Sequence, residues 1–106
     1  MIINKVKVRG FDSPRSGRAV ANQYIITTDE GVYFQSYESI IAFIPNGNYK
    51  PEDNGQHASD YRTLLDDRYW NYSMTTSKYR NEFLGEDTKE TKAKIASGQY
   101  VLVNLN

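Results

Sequence analysis

The chain carries two hydrophobic rhythms. Up to residue 44, apolar positions come in short runs rich in β-branched and aromatic residues, as in strands; beyond residue 70 they recur every three or four residues, as in helices. Residues 2–8, IINKVKV, predict an edge strand with its lysines outward. GFDSPRSGRA, with two glycines and a proline, reads as the loop that ends it. QYIITT and VYFQSY are separated by Asp29, Glu30 and Gly31, so 23–28 and 32–37 predict a hairpin, with Gly31 in the left-handed position of a three-residue turn. SIIAFI, residues 39–44, is apolar on both faces and stops at Pro45, as a covered central strand does. The link YES is short enough to make these three strands a meander.

Residues 45–60, PNGNYKPEDNGQHASD, hold only Tyr49 and Ala58 as hydrophobic members and read as a flexible insertion. YRTLLDD is a further short-strand candidate. Thr76, Tyr79, Phe83 and Leu84 then share one face of a helix over 76–84, which Gly85 ends. Asp87 with Glu90 forms a capping pair for a second helix over 88–97, where Glu90 and Lys94 are spaced for an i,i+4 ion pair. YVLVNL closes as a strand. The expectation is a single α+β domain over 1–106, with a small antiparallel sheet and two short helices.

Composition narrows the chemistry. The chain has no cysteine, which removes disulfides and thiolate chemistry and suits a cytoplasmic setting. Lysines interrupt the only candidate signal segment, and the longest apolar run, 40–44, is far below the roughly 20 residues of a membrane helix; a soluble protein without a membrane partner is expected. The formal net charge is zero but uneven, +4 over residues 1–28, −6 over 29–67 and +2 over 68–106. His57 is the only histidine and lies in the insertion. The acid pairs Glu52–Asp53, Asp66–Asp67 and Glu86–Asp87 are adjacent, and in a strand adjacent side chains point apart. Neither a metal-ligand pattern nor a phosphate-binding glycine loop occurs, so no catalytic residue, metal or cofactor is expected.

Candidate macromolecule-binding residues remain. Arg9, Arg15 and Arg18 flank or occupy a Gly-Pro-Ser loop, where guanidinium groups can clamp phosphate or an acidic protein surface. Tyr33 and Tyr37 fall on one face of the predicted strand, where they either stack bases or pair across strands. Lys78 and Arg80 lie about 200° apart around helix 76–84 and cannot form one basic stripe. The helix–Gly–helix spacing imitates a helix-turn-helix, but of the interior positions only Leu84 is apolar, so the match fails.

NQYIITTDEGVYFQSYESIIAFI, followed by YWNYSMTTSKYRNEFLGEDTKETKAKIASGQYVLVNLN, resembles a family of small proteins of bacteriophages and mobile elements in low-GC Gram-positive bacteria. The shared elements are YFQSY-S-IAFI, YW-YS-TTSKYRN-FLGE-TKET and the final strand, over residues 22–44 and 69–106. That family has no assigned activity and no catalytic residues to carry over. The resemblance implies a non-enzymatic accessory protein that binds a host or phage protein stoichiometrically, for example as a counter-defence, anti-CRISPR-like inhibitor. The alternative is a nucleic-acid-binding accessory protein in phage replication or regulation.

Overall fold

The computed structural model describes residues 6–13, 16–49 and 62–106. Six strands form one sheet in the order in which they occur along the chain: β1 (Lys7–Asp12), β2 (Ala19–Thr28), β3 (Gly31–Ser36), β4 (Ser39–Pro45), β5 (Thr63–Asp66) and β6 (Tyr100–Val103). Helices α1 (Met74–Leu84) and α2 (Thr88–Ala96) connect β5 to β6. That crossover brings β6 back parallel to β5, whereas every other pair is antiparallel. The class is α+β as expected, but the sheet is mixed and includes the short β5.

Alternation along the strands sorts the apolar residues onto two faces. On the helix side, Ile25, Phe34, Ala42 and Leu65 lie in register and are buried with Phe11, Ile41, Tyr79 and Tyr100. A bulge makes this possible: Phe34 pairs with Ala42 but Gln35 pairs with Ile40, so Ile41 is an extra residue and joins Ala42 in the same core. Phe11 meets Phe34 edge-on at 5.7 Å, and Phe83 of α1 stacks on the same ring. On the opposite side an apolar row crosses the whole sheet through Val8, Ile26, Tyr33, Phe43, Leu64 and Val101. Phe43, Leu64 and Val103 are buried there, with Tyr33 stacked on Phe43 at 4.3 Å.

Three boundaries differ from expectation. β1 is displaced toward the C-terminus, running through Gly10 to Asp12 rather than ending at residue 8, because Gly10 pairs with Tyr24 and Phe11 has a core to enter. The insertion expected at 45–60 lies, from residue 50 on, outside the described residues; its first part turns back so that Asn46 and Asn48 bond the Asp29 carbonyl. The β2–β3 turn has two residues, Asp29 and Glu30, with Thr28 paired to Gly31. Gly31 nevertheless has a φ of +151°, and a Cβ there would fall on the Ile44 carbonyl oxygen and 2.7 Å from the Phe43 ring.

Local signals set both helices. Ser73 caps α1 by accepting from the Thr76 amide, so the helix starts at Met74, two residues earlier than predicted, and Gly85 ends it at φ 70°. Asp87 and Glu90 close a capping box on α2. Because Glu90 is engaged there, Lys94 pairs instead with Glu86, at 2.6 Å. Glu86 also accepts from the hydroxyls of Thr91 and of Tyr100, the latter at 2.7 Å, so one carboxylate joins the α1–α2 turn to α2 and β6. Burial pushes that carboxyl up, but the bonds from Lys94, Thr91 and Tyr100 outweigh it and hold the pKa below the ordinary 4.5.

Two measurements follow. Gly31→Ala combines a forbidden φ with a backbone clash and should cost about 3 kcal/mol in urea denaturation; a loss below about 1 kcal/mol would mean the turn relaxes freely. A depressed folded-state pKa stabilises fully above the unfolded value and loses that effect as pH falls through the folded one. The stability gap between wild type and Glu86→Gln should therefore be largest at neutral pH and shrink only below pH 4.5; a gap independent of pH would refute the carboxylate's role.

Candidate functional site

The segment between β5 and α1 is held at two points. Asp66, at the end of β5, is buried, and its carboxylate accepts from the amides of Arg68 and Tyr69 at 3.0 and 2.9 Å, from the Leu105 amide at 2.8 Å and from the Asn106 side chain at 2.9 Å. Further along, Arg80 reaches back from α1. Its guanidinium donates to the Trp70 carbonyl at 2.5 Å and to Asn71 at 3.0 Å, and on its other side to Asn81 and Thr88 at 2.9 and 2.8 Å, while lying 5.1 Å from the Trp70 ring. Burial lowers its pKa from the ordinary guanidinium range, and the negative charge of Glu86 opposes that. Immediately after these two points the chain turns Tyr72 outward, about half exposed, with its ring edge-on to Tyr69.

The β3–β4 connection faces Tyr72. Tyr37 and Glu38 are its two residues, bounded by the Ser36–Ser39 pair. Tyr37 has a φ of 56° and Asn22, on the neighbouring β2, a φ of 65°; the Tyr37 amide donates to the Asn22 carbonyl at 2.7 Å. In hairpins of this length a positive φ at the first turn residue favours Gly, Asn or Asp. A bulky aromatic there costs roughly 1–2 kcal/mol and is paid for by the surrounding structure. The ring is 45% exposed, so its own burial does not repay that strain.

Asn22, Tyr24, Gln35, Tyr37, Glu38, Ser39 and Tyr72 line an open groove of about 570 Å³ at this end of the sheet. Among the described residues the hydroxyls of Tyr24, Tyr37 and Tyr72 have no hydrogen-bond partner, their rings do not stack on one another, and no lysine or arginine lines the groove. The Gln35 amide donates to the Tyr37 carbonyl at 2.7 Å and stiffens the turn.

The residues singled out from sequence scatter across the molecule. Tyr37 lies in this groove, but in the turn rather than on a strand beside Tyr33. Tyr33 is half-buried on Phe43, and burial first, then Glu30 and Tyr49, raises its pKa. Arg80 is fully buried and bonded, so its side chain is withdrawn from any macromolecular surface. Lys78 is exposed, with its ammonium 5.3 Å from the Tyr79 ring. Arg18 is exposed beside the β1–β2 loop, and Arg15 lies outside the described residues, as does His57. Arg9 lines a separate cleft of about 400 Å³ with Asp12 and Glu82 at its rim, over a floor of Phe11, Ile25 and Phe83 that belongs to the core. Tyr24, Tyr72 and Glu38 were not anticipated: Tyr24 carries an alternation signal, while Tyr72 depends on the two buried anchors. No cluster of three metal-ligating side chains occurs among the described residues, and no helix is long and apolar enough to cross a membrane.

Fold and groove together define a small α+β protein with an exposed aromatic surface at one end of a mixed sheet. Over residues 6–99 the chain matches the family of unknown function DUF8033, and it belongs to that family. No curated protein and no solved structure matches it.

Arg80→Lys keeps the charge but loses the planar fork, leaving acceptors around Trp70, Asn71 and Thr88 unpaired. It should destabilise the protein by about 2–4 kcal/mol in urea denaturation. A change within about 0.5 kcal/mol, the ordinary range of a surface substitution, would contradict the anchoring role.

Proposed function

We propose that this is a non-enzymatic binding protein that engages another protein stoichiometrically through the groove walled by Tyr24, Tyr37 and Tyr72. The observation that carries the reading is Tyr37, an exposed aromatic ring kept in a left-handed turn position that glycine would occupy at lower cost. Exposed tyrosines on a rigid frame are favoured interface anchors, since they offer large contact area for little entropy. One histidine and no cysteine in the sequence favour binding over catalysis. The resemblance to phage and mobile-element proteins makes a bacterial host protein, including a component of a CRISPR defence, the partner class to test. The nucleic-acid alternative has less to stand on, with Arg80 bonded in the interior and Tyr33 stacked on Phe43.

Tyr37→Gly separates function from folding. It should unfold at equal or higher denaturant, with a gain of up to about 1 kcal/mol, because the strain is released while the backbone bonds of the turn persist. The same variant, tagged and purified from a bacterial host, should lose a protein that wild type retains in near-stoichiometric amount by quantitative mass spectrometry. An unchanged set of captured proteins, or capture of nucleic acid in place of protein, would overturn the proposal.

A further inference from the structure

The groove also specifies what it should hold. It is lined by three tyrosines, by Asn22, Gln35 and Ser39 as neutral polar residues, and by Glu38 as its single charged residue. Aromatic faces are the negative side of the ring quadrupole, and a carboxylate at their margin adds to the same field. Among the described residues Glu38 has no ion pair, and no lysine or arginine supplies an internal cation. The contrast within the molecule is informative. Where this chain places an aromatic ring beside an internal cation, as with Trp70 and Arg80 or Tyr100 and Lys94, the pairing is satisfied from within. Tyr24, Tyr37 and Tyr72 line a groove that has a carboxylate and, among the described residues, no lysine or arginine in its lining.

We propose that the groove accepts a lysine or arginine side chain of the partner protein, caged by Tyr24, Tyr37 and Tyr72 with Glu38 as its counter-ion. This rests on the protein-binding reading and adds the chemistry of the contact. An acidic segment would meet Glu38 and the π faces unfavourably. An uncharged apolar segment would leave the exposed Glu38 carboxylate without a partner as it lost water.

The probes are capped pentapeptides with a central arginine, lysine or glutamate between glycines. They are titrated to millimolar concentration against the isotope-labelled full chain and followed by NMR. The arginine and lysine peptides should shift the resonances of Tyr37, Glu38 and Tyr72, and the glutamate peptide should not. Glu38→Gln should weaken the arginine peptide about fivefold and Tyr37→Gly about tenfold, with the spectra of both variants showing an intact fold. Equal shifts from the glutamate peptide, no shift from the basic peptides, or shifts that survive both substitutions would overturn the inference. Should the basic peptides fail while capture from host cells still depends on Tyr37, the cation is wrong and the protein-binding reading stands. Should capture not depend on Tyr37, both fall together.

Discussion

The buried carboxylate of Asp66 is the constraint on which the arrangement rests. A parallel strand pair has to be closed by a long crossover, and the ends of that crossover are where backbone groups go unpaired. Asp66 sits at the point where β5 leaves the sheet and accepts four hydrogen bonds, two from the departing chain and two from the residues that follow β6. Asn106 carries the connection on to β4, its side-chain amide bonding both the amide and the carbonyl of Ile40. The turn into α1 and the far end of the chain are thus fixed to the same carboxylate. Arg80 then secures the middle of that turn. Two buried charges, in different places and without contact between them, therefore determine where Tyr72 stands.

What was legible in the sequence was what is local. Ser, Asp and Glu at helix starts and Gly85 at a helix end work through bonds within a few residues, and the capping box of α2 and the stop of α1 formed as read. The β2–β3–β4 meander was readable for the same reason. Buried polar residues were not, because their partners lie far along the chain. Arg80 is four residues from Thr76 and three from Phe83, so helical phase places it on the inward face. Its charge argued the other way, and only the Trp70 carbonyl and Thr88, ten and eight residues distant, resolve the conflict. Glu90 was read as the partner of Lys94, since i,i+4 spacing is visible, whereas Glu86 wins through geometry set by the turn and by Tyr100.

The groove was half legible. Tyr37 could be picked out as an aromatic residue, but on the premise of a strand face shared with Tyr33. The strand ends one residue sooner, at Ser36, and the left-handed turn sends Tyr37 elsewhere. A turn containing Tyr-Glu carries no glycine or asparagine to announce a positive φ, so sequence rules extended the strand through it.

The tyrosines divide by what their rings and hydroxyls have already found. Tyr79 and Tyr100 are buried, Tyr33 stacks on Phe43, Tyr49 meets the same ring edge-on, and Tyr100 bonds Glu86. These rings are part of the fold. Tyr24, Tyr37 and Tyr72 have neither a stacking partner among themselves nor a bonded hydroxyl among the described residues. One is held at an energetic cost that the fold does not require, and another is positioned by the two buried charges. With a net charge of zero, the molecule has little long-range field with which to attract a partner. Under the proposed protein-binding reading, recognition would come from short-range contact in the groove, with selectivity in the fit and not in the encounter rate.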